Sequence, residues 1–334
     1  MKQLKHHNRA LNGSFGILIE GVTSDDLENQ DFQAEAFELW SIYGGLLIIR
    51  GKDLFKLNPK RLVAWSNKFG KVEIVPQSAR EDKMVSGFPI FRIGNTKDVF
   101  GKKLAQFAKV PELKSDDDIC YNPESRRPVW HTDSTFREQP PIGSVFQCRI
   151  APPSGSDTLF ADTCKAYADL DTKIQEQLLD LEAICSLAHH DKKISLYSPG
   201  YPVLTPNQRK NNPPRRVPIV LKHPVTGLNA IYGINSSTCA VLPKWEELTR
   251  DKLDVCDLEG IEDMSVLILR NLLPHITGPK YTVRWKWEAG DIVIWDNRCT
   301  IHAATGFDNE KYSREMWRLT LLENSDRILS RLKL

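Results

Sequence analysis

Five segments from residue 143 onward show strand patterning: GSVFQCRIA at 143–151, VPIVLKHPV at 217–225, NAIYGIN at 229–235, YTVRWKWEAGDIVIWDN at 281–297 and REMWRLTLLE at 314–323. Successive side chains of a strand point to opposite faces, so a run of such segments has to bury its apolar faces by stacking as sheets. HPVTG, between the second and third, reads as a hairpin turn. One helical insertion interrupts the series, where Asp171 caps a segment with Ile174, Leu178 and Leu181 on one face.

Upstream, GILIEGV at 16–22 reads as a strand. Asp31 then opens an amphipathic helix with Phe32, Ala36, Leu39, Trp40 and Tyr43 at helical spacing, a stripe that belongs to a core. GLLIIR at 45–50 is a buried strand, and a second helix runs through Arg61 to Phe69 and ends at Gly70. From Lys71 to Arg127 periodicity weakens, and the segment reads either as a long loop able to cover a site or as a plain solvated loop. There is no internal repeat and no linker. The expectation is one domain over residues 1–334, mainly β with flanking helices, built as a sandwich or barrel of short strands with the helices packed outside.

Composition narrows the function. Lys+Arg 45 against Asp+Glu 43 leaves a formal charge of +2 with no basic stripe, which argues against nucleic acid and for a small-molecule substrate. The longest apolar runs, GGLLII at 44–49 and VLIL at 266–269, are too short to cross a bilayer, and MKQLKHHNRA lacks an apolar signal core. A soluble, cytoplasmic protein is expected. Seven cysteines without a C-x-x-C pair read as free thiols in a reducing compartment. Apolar surface on the outer helices would permit a homo-oligomer.

VWHTDSTF at 129–136 sets His131 two positions before Asp133. In an extended segment both face the same way and could reach one ion, but an H-x-D pair arises easily by chance. The best third ligand is His302 in WDNRCTIHAATGF, just beyond the strand DIVIWDN, unless it is simply a satisfied structural histidine. Two imidazoles and one carboxylate would form the facial triad of non-heme Fe(II) oxygenases, with three positions open. Further on, REMWR places Arg314, Met316 and Arg318 on one face of a strand, with Trp317 and Leu319 on the other. Two inward guanidiniums need anionic partners, either bound acids or internal carboxylates, unless that face is solvated.

With these segments in view, the chain resembles the taurine dioxygenase (TauD/TfdA) family of Fe(II)- and 2-oxoglutarate-dependent oxygenases over nearly its whole length. The matching stretches are IYGGLLIIRG, NKFGKVE, VWHTDSTF, APPSGSDTLFADTCKAYADL, HPVTGLNAIYGIN, WKWEAGDIVIWDNRCTIHAA and REMWR. The resemblance implies a double-stranded β-helix, or jelly roll. It implies His131, Asp133 and His302 as iron ligands and Arg314 as the grip on the distal carboxylate of 2-oxoglutarate. Thr158 would assist that cosubstrate, and Arg318 would meet the acid group of the substrate.

The implied reaction consumes 2-oxoglutarate and O2, releases succinate and CO2, and oxidises a C–H bond of a small acid-bearing substrate, an amino acid or derivative being preferred. Hydroxylation is the default, with desaturation or oxidative cyclisation as other outcomes. Taurine itself is disfavoured. Val75 stands where taurine-specific members carry a histidine, and Arg126, Arg127, Pro128 and Val129 replace an asparagine before the H-x-D pair. His189 and His190 read as packing or capping residues, His223 and His275 as turn and loop residues. A reading of a different class is a jelly roll that holds a metal for binding or sensing without turnover.

Overall fold

The computed structural model describes residues 6–74, 83–97, 121–122, 127–128, 130–196 and 201–324. The runs LLII and IVIW show no polar alternation because both faces of their strands are buried. They lie in the middle of an open sheet built from β1 (His7–Asn12), β2 (Phe15–Glu20), β3 (Leu46–Arg50), β4 (Lys71–Val72), β5 (Phe91–Gly94), β8 (Gly143–Ile150), β16 (Ile292–Asp296) and β18 (Glu315–Leu322). Its order is β1-β2-β3-β16-β8-β18-β4, with β5 also pairing β18. Every pairing is antiparallel except β2 with β3.

On one face Ile17, Ile19, Leu47, Ile49, Ile294 and Leu319 pack against α1 (Gln30–Ile42) and α2 (Pro59–Ser66). Helix α1 contributes Phe32, Ala36 and Trp40, spaced by four, and its cap is Asn29, whose side chain accepts from Phe32 N, not the expected Asp31. Helix α2 likewise starts earlier than expected, capped by Asn58 with Pro59 at its first turn. Trp65 stacks on Phe32 at 5.7 Å and Phe69 meets Trp40 edge-on at 5.5 Å. Aromatic contacts of this kind are worth about 0.5–1.5 kcal/mol beyond area burial.

The other face, with Leu18, Ile48, Val293, Trp295 and Met316, packs on a second sheet of order β15-β9-β17. These strands are β9 (Thr158–Asp162), β15 (Thr282–Trp285) and β17 (Thr300–Ala304). Behind it lie the helices α3 (Thr163–Ala168) and α4 (Leu267–Ile276), sharing a core with the remaining strands. Those strands are β10 (Leu181–Cys185), β11 (Arg215–Pro218) and β14 (Thr238–Pro243) in one sheet, and the hairpin of β12 (Val220–Lys222) with β13 (Asn229–Ile231). The hairpin turn at HPVTG and the Asp171 cap, which accepts from Lys173 N, are both present. A two-stranded pair, β6 (Tyr121–Asn122) with β7 (Arg127–Pro128), stands apart.

The expected jelly roll is corrected by this pairing. The fold is mixed and mainly antiparallel, with several sheets and flanking helices, and among the described residues no sheet closes into a barrel. The two facing sheets meet through side chains and not through a shared ladder of hydrogen bonds. Alternation reports which face of a strand is buried and says nothing of which edges join. The long pattern at 281–297 also divides, giving β15 and β16 to different sheets. Within the expected 71–127 loop, β4 and β5 join the main sheet, while residues 75–82, 98–120 and 123–126 lie outside the described residues.

Candidate metal centre

His302 lies just beyond β16, as expected, within a strand of its own, β17, and it sits directly opposite His131. His131 N–H donates to His302 O at 2.9 Å and the reverse bond is 3.0 Å, a lone antiparallel bridge that sets the two rings 4.4 Å apart. Asp133 follows two residues on, and the segment between is pinned. Thr132 N–H donates to Ile234 O at 2.8 Å, and the Asn235 side-chain amide donates to Thr132 O. Ser134, at φ 51°, then turns the chain away. As a result both Nε2 atoms face one carboxylate oxygen, at 3.7 Å (His131) and 3.8 Å (His302) from Asp133 Oδ1. All three donor atoms lie within 4.8 Å of one another. Metal bonds of about 2.1 Å at right angles would set neighbouring donors about 3 Å apart, so closing on an ion asks each to move by about 1 Å or less. The set fits Fe(II) in chemistry and spacing.

The other oxygen of Asp133 is held from behind. Arg318 Nη2 donates to Oδ2 at 2.9 Å, and Ser144 Oγ lies 3.4 Å away. Burial opposes the charge of Asp133, but Arg318 and the two histidines outweigh it and bring the carboxyl down to about 2. His302 is driven the other way for a base: burial, then the neighbouring His131, lower it to about 3, so its ring is neutral and its lone pair free at neutral pH.

Arg314 lies just before β18, 8 % exposed, with its side-chain Nε unpartnered. Among the described residues no carboxylate pairs with it, and burial lowers its guanidinium to about 10, still charged at neutral pH. Its backbone is clamped by Asn95, whose Oδ1 accepts from Arg314 N at 2.7 Å and whose N–H donates to Arg314 O at 3.1 Å. Thr158 opens β9 opposite Ala304 of β17, on the face that also carries His302. Its Oγ1 accepts from Trp287 Nε1 at 3.0 Å. Among the described residues, neither Arg314 nor Thr158 hydrogen-bonds the three clustered side chains, whereas Arg318 does.

No role is assigned to Asn95, Asn235, Ser144 or Trp287 by the sequence reading, and their roles follow only from contacts distant in sequence. His223 opens the hairpin turn as expected, and it is buried as well. Its Nδ1 accepts from Val225 and Thr226 N–H, so Nε2 carries the hydrogen and donates to Asp296 Oδ2 at 3.1 Å. Asp296 and Cys299 complete a second cluster with it. That cluster is spoken for: Arg298 donates to both oxygens of Asp296, at 2.9 and 2.7 Å. His189 and His190 are fixed by Cys256 O and Ser236 Oγ, and His275, within α4, by Ala166 O. The described cysteines are all free. No helix among the described residues is long and apolar enough to cross a membrane.

The profile described as "Taurine catabolism dioxygenase TauD, TfdA family" matches residues 8–320. An alpha-ketoglutarate-dependent 2,4-dichlorophenoxyacetate dioxygenase of Burkholderia sp. (strain RASC) is 26% identical over 294 residues, 86% of this chain and 84% of that one. An alpha-ketoglutarate-dependent sulfate ester dioxygenase of Pseudomonas putida is 31% identical over 185 residues, 52% of this chain and 53% of that one. The crystal structure of AAD-2 in complex with Mn(II) and N-oxalylglycine shares the fold, with TM-score 0.67 and 22% identity, over 96% of this chain and 99% of that chain. Alpha-ketoglutarate and 2-oxoglutarate are the same acid, and this chain belongs to the TauD/TfdA family of Fe(II)- and 2-oxoglutarate-dependent dioxygenases.

Proposed function

We propose that His131, Asp133 and His302 hold Fe(II), that Arg314 and Thr158 take the far carboxylate of 2-oxoglutarate, and that the substrate is a small organic anion met by Arg318. The observation that carries this reading is Arg314, a buried guanidinium with no carboxylate against it among the described residues. A charge in that position calls for an anion from outside, and the planar fork suits a carboxylate bidentately.

When bound, Fe(II) with 2-oxoglutarate and O2 supplies the oxidising chemistry, consuming the keto acid to succinate and CO2. The chain supplies placement. The bridge between His131 and His302 orients both imidazoles, and Arg318 with Ser144 holds Asp133 so that one oxygen faces the ion position. Trp295 and Phe160, 4.8 and 6.3 Å from the His302 ring, keep water from that side. Arg318 gives Nη2 to Asp133 while its side chain stays about a quarter exposed, which leaves the rest of the guanidinium for a substrate anion.

The substrate class takes support from the relatives, named for an aryloxyacetate and a sulfate ester, each an anion on a small organic frame. None of these names favours an amino acid over the others. The test is succinate release from 2-oxoglutarate with Fe(II) and ascorbate, against aryloxyacetates, alkyl sulfates, short sulfonates and amino acids. One anionic class should stimulate release, and 2-oxoglutarate should bind the metal-loaded protein. Absence of both rejects the reading and leaves a metal-holding binding protein.

A further inference from the structure

We infer that Trp287 is a positioning residue for the cosubstrate: its indole N–H occupies an acceptor site of the Thr158 hydroxyl and so reserves the hydroxyl hydrogen for the carboxylate of 2-oxoglutarate. The inference rests on the placement of 2-oxoglutarate proposed above and adds to it a residue outside that set.

Trp287 follows β15 and is 6 % exposed, packed in the core between the two facing sheets with Met316, Cys148 and Trp295. Its Nε1 lies 3.0 Å from Thr158 Oγ1, within a buried pair. An indole nitrogen can only donate, whereas a threonine hydroxyl has one hydrogen and two lone pairs. The direction of this bond is therefore forced, and the hydroxyl cannot spend its hydrogen on Trp287. Among the described residues Thr158 Oγ1 donates to nothing. A buried hydroxyl whose hydrogen has no acceptor is unfavourable until something accepts it.

Arg314 shows the same deficit on the facing sheet. Its neighbour along that face, Met316, lies in the same core cluster as Trp287, and among the described residues the Nε of Arg314 has no partner. Two donors lacking acceptors, on two walls of one interior, match the carboxylate of a single acid. A hydroxyl that accepts a hydrogen bond also becomes a stronger donor, by roughly 10–30% in condensed-phase estimates. Thr158 without Trp287 would be free to turn its hydrogen elsewhere.

The experiment is calorimetric titration of 2-oxoglutarate into Mn(II)-loaded protein, which reads binding with no turnover. Trp287→Phe removes the N–H and should weaken binding about three- to tenfold, the size of one lost hydrogen bond. Thr158→Val should weaken it by a similar factor, and Trp287→Phe added to Thr158→Val should weaken it by no more than about twofold further. Trp285→Phe is the control for loosened packing. It lies in the same cluster, but its N–H goes to Asp291 Oδ2, so 2-oxoglutarate affinity should hold. If Trp287→Phe does not fold, 3-benzothienylalanine at position 287 keeps the bicyclic shape without the N–H and should give the same loss. Unchanged affinity on removal of the N–H, equal loss in Trp285→Phe, or effects that multiply in the double variant overturn the inference while leaving the proposed function standing. Undiminished affinity in Thr158→Val removes Thr158 from the cosubstrate site and the inference with it. No binding by the unaltered protein defeats the proposed function itself.

Discussion

A guanidinium buried without a counter-charge is costly, and Arg314, which has none among the described residues, is held in place by its backbone, not by its side chain. Replacing it with methionine keeps the bulk and removes the fork. Arg314→Met should weaken 2-oxoglutarate binding about ten- to hundredfold, matching a charge-assisted bond of roughly 1.5–3 kcal/mol. Because the buried charge is also relieved, the same variant should be no less stable than the parent in the absence of ligand. Calorimetry and a urea melt check the two halves, and unchanged cosubstrate affinity would reject the role. His302→Ala removes one of three donors converging within 4.8 Å. It should abolish both Fe(II)-dependent succinate release and tight Mn(II) binding; retention of either would mean the ion is held elsewhere.

Among the elements, β5 does most to place Arg314 although its sequence reads as part of a loop. Asn95 just after it accepts from Arg314 N and donates its side-chain amide to Asn309 O and Tyr312 O, at 3.0 and 2.8 Å. Asn95→Ala strips three bonds from one partly buried knot. It should cost about 1–3 kcal/mol and raise the 2-oxoglutarate dissociation constant, read by denaturant melts and calorimetry. Gly94 is needed for a close approach: a Cβ there would stand 1.9 Å from Arg314 O. Gly94→Ala should therefore push β5 off β18, with a larger loss of stability than Asn95→Ala and a parallel loss of cosubstrate affinity. A Gly94→Ala protein with native melting and binding would show that this contact does not place the arginine.

For the molecule as a whole, the acid limb of stability has an identifiable source in His189. It is fully buried, and burial, followed by the charge of Lys193, lowers it to about 3 while its Nδ1 meets Cys256 O. Unfolded, a histidine takes its proton near pH 6.5. Between those values the unfolded chain binds the extra proton, so stability is fully present above about pH 6.5 and falls as the pH drops toward about 3. His189→Gln should flatten the dependence of melting temperature on pH between about 4 and 6.5 relative to the parent. An unchanged slope would place the proton uptake on other groups.

Short-range pattern was enough to read the strand segments, the Asp171 cap, the HPVTG hairpin and the two faces of REMWR, because face and cap are set by residues a few positions apart. Resemblance carried the family and the candidate ligands, since motif order survives where overall identity is low. Which strands pair, and therefore that the sheets stay open, depends on edges that alternation does not encode. The grip of Arg318 on Asp133, the clamp of Asn95 on Arg314 and the bond from Trp287 to Thr158 each join residues more than a hundred positions apart. Such contacts form only once two sheets close over one core, and no local spacing records them.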